Sequence, residues 1–211
     1  MLLQQNNGNI ELGSFLFGMG LFTILNFKLW LYTAKIGMIF DNKLSFIIDL
    51  IICLIGNFIG DLILAGLLLL TKLEPTLKAQ STMIVNDKLN DDNSSIFILS
   101  FMCGVLIYLA VKGYQKCEYS TGKVVFCYLG LMIFILSKHE HCVTNFVYFI
   151  YARQFKLEAM LCLVLMVVGD STGSIVFDVL IKVVEWLNKI NNEYDKKEIR
   201  LHEAIDSMKD I

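Results

Sequence analysis

The chain has 211 residues, of which 56% are hydrophobic and 18% charged, against roughly 25% charged in an ordinary soluble domain. The charges gather in short stretches between long apolar runs, so most of the polar skin that a soluble fold needs is absent and lipid is the expected solvent. A net charge of −2, with basic residues scattered among acids, offers no stripe for nucleic acid.

Five apolar segments follow in chain order. They run from Leu12 to Phe40, Leu44 to Leu70, Ile96 to Val111, Val124 to Tyr151 and Leu157 to Leu187. A helix needs ~20 residues to cross the hydrocarbon. The second and fifth segments meet this with length to spare, and the third is short for it. The first and fourth are interrupted, near Asn26–Lys28 and at Lys138–His141. Each is a short apolar piece, a polar break and a second short piece. Such breaks are tolerated at membrane depth only where protein buries them or a cavity runs beside them, and a matching pair points to a transport site. The expected organisation is an N-terminal tail over 1–10, a channel domain over 11–187 and a mixed-charge, helical, cytoplasmic tail over 188–211.

An internal repeat supports this reading. Gly56-Asn57-Phe58-Ile59-Gly60 lies in segment two and Gly169-Asp170-Ser171-Thr172-Gly173 in segment five. Each lies in the continuous helix that follows an interrupted one. G-x-x-x-G spacing by itself signals close helix packing. Lys112, Lys116 and Lys123 lie between segments three and four, against Lys78 and Lys88 over 74–95 of the connection between segments two and three. The positive-inside rule then puts the former loop in the cytoplasm and the N-terminus outside. Asp49, Asp61, Asp170 and Asp178 stand within apolar runs and need partners or water.

The fourth segment breaks at Lys138-His139-Glu140-His141-Cys142-Val143-Thr144-Asn145. Ionisable groups at this depth point to function. A helix resuming near His141 places His141 and Asn145 on one face, and a pore histidine is a natural proton exchanger. A metal site built from His139, His141 and Cys142 is the rival, but residues two apart share no helix face, so no metal and no cofactor are expected. The first break contains Leu31, Tyr32 and Thr33. Leu31 and Tyr32 suit a hydrophobic constriction and Thr33 a pore hydroxyl. Equally, Trp30 and Tyr32 suit an interfacial belt. The six cysteines are expected to be reduced packing residues. No phosphate loop or nucleophile elbow is present, and an enzyme is not expected.

These blocks resemble the formate/nitrite transporter family. Leu31-Tyr32-Thr33 is similar to the family's L-F-T, and the two glycine blocks to its G-N-x-x-G motifs. Glu140-His141-Cys142-Val143-Thr144-Asn145 resembles its E-H-x-x-x-N. The resemblance implies an all-α, aquaporin-like bundle with inverted repeats and two interrupted helices, five of the usual six spans being present and the first lacking. It implies a homopentamer in the plasma membrane that passes formate, nitrite, lactate or hydrosulfide together with a proton. His141 is then the pore histidine, Thr33 its partner across the pore, and Lys88 the lysine that draws anions inward. Three departures stand out: Gly104 for a family Asn, Asp170 for Asn, and Ala34-Lys35 after the L-F-T-like block. A non-transporting fragment of such a channel is the alternative.

Overall fold

This computed structural model describes the backbone of residues 10–209 and the side chains of residues 10–198. Residues 1–9 and the Arg200 and His202 side chains of the tail lie outside the described set. The described chain is built of helices: α1 (Ile10–Asn26), α2 (Tyr32–Lys35) continued by a 3-10 stretch (Ile36–Asp41), α3 (Phe46–Leu69), α4 (Glu74–Leu89), α5 (Asn93–Lys116), α6 (Ser120–Leu136), α7 (Cys142–Ala152) and α8 (Leu157–Lys209).

Three of these, α3, α5 and α8, are long and apolar enough to cross a membrane. The other two crossings are composite. A 17-residue α1 is followed by a break and then α2 with its 3-10 extension, and a 17-residue α6 is followed by a break and then α7. The breaks share one geometry. Each first helix closes on a lysine in the left-handed region, Lys28 at φ 55° and Lys138 at φ 54°. The next amide in each case reaches back to the carbonyl five residues earlier, Leu29 to Ile24 at 2.9 Å and His139 to Phe134 at 3.0 Å. This is the glycine-type helix stop made without glycine, at a cost of roughly 1–2 kcal/mol per site. The chain then runs extended through Leu31 (φ −121°) or His141 (φ −113°) before helix resumes.

The resumed helices are tied down in matching ways. The first amide of α2, on Tyr32, donates to Asn57 Oδ1 of α3 at 2.9 Å, and the first amide of α7, on Cys142, donates to Asp170 Oδ2 of α8 at 2.7 Å. The polar residue of each glycine block therefore holds the break in its own half. Two crossings, α3 and α5, separate the two composite spans, so they run in opposite directions and the repeat is inverted.

The glycines of the two blocks behave differently. A Cβ on Gly169 or Gly173 would strike α5, at Ser100 and Phe97 or at Phe101. Gly104 of α5 in turn faces the backbone carbonyl of Asp170, and Ser174 Oγ donates to Gly104 O at 2.9 Å. The α5–α8 crossing is thus a backbone-to-backbone seam, as small-xxx-small packing predicts. Gly56 and Gly60 meet open space, so the packing role expected of them has no partner within the described chain. The α3 face on either side of them exposes Ile52, Ile55, Ile59 and Ile63.

At the opposite end from α4, an ion cluster fastens the 3-10 stretch to α5 and α8. Lys182 lies 2.6 Å from Asp41 and 2.7 Å from Asp178, Lys112 lies 3.4 Å from Asp41, and Tyr108 donates to Asp178. This supplies the partner that Asp178 needs. Hydrogen bonding from Lys182 holds Asp41's carboxyl below its ordinary range. The six cysteines are all free thiols, five of them buried.

Two elements differ from the sequence expectation. Residues 74–89 form a helix where a loop was expected. Pro75 opens it, Glu74 stands in its first turn and Lys88 in its last, an arrangement that suits both proline placement and the helix dipole. Span three is α5, 24 residues long, because polar residues at both ends continue the helix beyond the apolar stretch.

Candidate channel site

The two breaks meet. His141 is 5% exposed and Thr33 1%, and His141 Nε2 lies 2.9 Å from Thr33 Oγ1. The other ring nitrogen caps α7: Nδ1 accepts the Thr144 amide at 3.1 Å, with Thr144 Oγ1 also at 3.1 Å. A backbone N–H can only donate, so Nδ1 carries the lone pair, the ring proton is on Nε2, and Nε2–H donates to Thr33. The ring is therefore neutral and fixed at both nitrogens. Phe134 of α6 stacks obliquely beside it, with ring centroids 5.7 Å apart.

Thr33→Val preserves shape and removes the acceptor for Nε2–H. It should destabilise the protein by about 1–3 kcal/mol, and Thr33→Ser should restore the loss. Thermal melting in detergent measures both; equal melting of the Val and Ser variants would show that the hydrogen bond is not the cause.

Glu140 was not singled out by the sequence, yet it joins two named residues, Lys88 and Asn145. Its carboxylate pairs with Lys88 from the last turn of α4. It also accepts from Asn145 Nδ2 at 2.8 Å, and the same Nδ2 lies 3.0 Å from His141 O. Lys88 is thus not a free cation: what faces the cavity is a lysine–carboxylate pair. His141 is the residue before the α7 helix rather than its first member, and Asn145 folds back onto it.

Beside this cluster lies a cavity of about 390 Å³, lined by Ile10, Ser14 and Phe17 of α1, Asp87, Lys88 and Asp91 of α4 and its end, Phe134, the Lys138–His141 break, and Asn145 and Tyr148 of α7. His141 and Phe134 are therefore reached from the side of the α3–α5 connection. Leu31, Tyr32 and Thr33 are not among the lining residues. Tyr32 is buried against α8, its hydroxyl 2.8 Å from Ser171 Oγ. Trp30 is 49% exposed, with Lys35 Nζ 5.3 Å from its ring. The belt reading thus fits Trp30 and fails for Tyr32. Among the described residues, no three His, Cys, Asp or Glu side chains gather to hold a metal.

A helical membrane protein with two opposed broken helices, their ends meeting at a buried histidine, has the architecture of a channel or transporter rather than of an enzyme. The chain belongs to the formate/nitrite transporter family, whose model matches residues 2–187. Among solved structures it is similar to a pentameric formate channel with formate bound, at a TM-score of 0.66 and 22% identity, covering 86% of this chain and 83% of the other. Comparison with curated proteins gives no match.

Proposed function

We propose that the protein is a plasma-membrane channel, pentameric in its working form, that passes small monovalent weak-acid anions such as formate, nitrite, lactate or hydrosulfide with a proton. The observation that carries this reading is the Thr33–His141 contact between the two breaks, with His141 also lining a cavity large enough for such an ion. Family membership and the formate bound to the similar channel support the substrate class.

The order of events follows from the site. An anion enters the cavity past the Lys88–Glu140 pair, where Lys88 attracts it and Glu140 restrains how tightly it is held. Phe134 belongs to an apolar cluster with Leu21, Ala34, Ile107 and Leu131, and a bare anion would lose its hydration there. The N-terminus of α7 offsets part of that loss. To give a proton, the neutral ring first takes one from cavity water at Nδ1, displacing the Thr144 hydrogen bonds. The resulting imidazolium then releases Nε2–H to the anion's oxygen or sulfur, which leaves the ring neutral with its proton on Nδ1. Loss of that proton to water and uptake of one at Nε2 restore the starting tautomer. A neutral acid crosses the constriction and gives its proton back to water beyond it.

The test is flux into proteoliposomes. Formate flux should exceed chloride flux and rise as pH falls. His141→Ala should cut formate flux by at least about tenfold and flatten its pH dependence. Unchanged flux and pH dependence in that variant would remove the histidine from the mechanism.

A further inference from the structure

The two glycine blocks differ at one chemically decisive atom. Asn57 uses both ends of its amide: Oδ1 accepts the Tyr32 amide, and Nδ2 donates to the carbonyl of Trp30 at 3.1 Å. Asp170 uses one end in the same way, Oδ2 accepting the Cys142 amide. Its other end, where Asn57 carries N–H, is the oxygen Oδ1. That atom is fully buried and has no hydrogen-bond partner. The left-handed lysines align the two breaks so that Trp30 matches Glu140, and the motif therefore calls for a donor at Oδ1.

The surroundings do not suit a carboxylate. Asp170 is 0% exposed, and no cation is among the groups that act on it most strongly. From α5 it meets the thiol of Cys103, from α7 the thiol of Cys142, and from the break the carboxylate of Glu140. From α2 it is faced by the phenol of Tyr32. The thiols are weak donors, Glu140 repels a negative charge, and an unpaired buried carboxylate is among the costliest groups a protein can hold.

We propose that Asp170 is held as the neutral acid, its Oδ1–H replacing the amide N–H that Asn57 supplies in the other half. A titratable group then ties the His141 break to α8. Losing the proton removes the donor and adds a charge one bond from the Cys142 amide, next to His141. Asp170 is accordingly a positioning residue whose hold on the pore depends on pH, a dependence separate from protonation of His141 or of the transported acid.

Asp170→Asn is the test, because it installs the donor permanently. At each pH the ratio of Asp170→Asn flux to wild-type flux cancels the substrate's own titration. That ratio should rise about threefold or more between about pH 6 and about pH 9, while Asp170→Ala should lose flux throughout. A flat ratio would overturn the pH-dependent hold on the pore. Infrared difference spectra at about pH 7 read the proton directly. A protonated-carboxyl band in wild type that Asp170→Asn lacks is expected, and its absence overturns the proposal. If Asp170→Asn does not assemble, the same band is read in carboxyl-labelled wild type against labelled Asp61→Asn, which removes Asp61 Oδ2, another buried aspartate oxygen without a hydrogen-bond partner; Asp178 Oδ2 lies 2.7 Å from Lys182. The flux arm rests on the channel reading and the infrared arm does not. A band present in a protein that passes no formate would sink the former and keep the proton.

Discussion

Glu140→Ala should destabilise the folded protein by about 3–5 kcal/mol, the usual cost of removing one partner from a buried ion pair. The Lys88 and Glu140 side chains are only 13% and 9% exposed, so little water is available to take the carboxylate's place. The loss would leave the Lys88 ammonium without its carboxylate partner and free Asn145 Nδ2 from its contact at 2.8 Å. The decisive measurement is a double-mutant cycle, read by denaturant unfolding in detergent. Lys88→Ala should be nearly as harmful alone, and the double variant should be far better than the sum of the two. Strict additivity would mean that the pair contributes nothing beyond its separate packing. The result also bears on transport, since a cavity with Lys88 unopposed would hold an anion more tightly than one that must release it.

Gly104→Ala is the second change with a large expected effect. The added Cβ would collide with the backbone carbonyl of Asp170, and one on Gly173 would collide with that of Phe101. Neither obstacle is the end of a flexible side chain, so α5 and α8 would have to separate along their seam. Overpacking of this kind costs about 1–3 kcal/mol per site. The combined Gly104→Ala, Gly173→Ala variant should lose most of its folded yield. Melting temperature and the yield of protein stable in detergent report it. Wild-type stability in both single variants would mean that the seam is looser than the structure shows.

These two cases mark where sequence reasoning stopped. Long apolar runs, polar breaks and the glycine repeat are local signals, and they were enough for the crossings, the broken helices and the two repeated halves, whereas the inversion of the halves entered through family resemblance. The E-H-C-V-T-N block was enough to draw attention to His141 and Asn145. Its link to Thr33 entered through family resemblance, because the two lie 108 residues apart and no spacing rule reaches that far. Glu140 was visible as part of the block and had no role, since its partner is 52 residues away. Helix α4 was passed over because its apolar residues form no clear stripe, although Glu74, Pro75 and Lys88 were start and stop signals in plain view. Gly104 and Asp170 read as two unrelated departures from the family pattern. In space they touch: the room left by the missing Gly104 side chain is filled by the Asp170 backbone.

Helix α8 carries this same Asp170 and then runs on to Lys209 without interruption. After Gly173 it contains neither glycine nor proline through Glu198, so it has no weak joint. From Asp170 to Glu198 the rise is roughly 42 Å at 1.5 Å per residue, against roughly 15 Å for half a hydrocarbon core. With the break at mid-depth, a stiff mast more than 20 Å tall stands clear of the lipid. Its foot is keyed against α5 by glycines, so a twist applied at its tip would turn the shaft as one piece and arrive at the residue that secures the break.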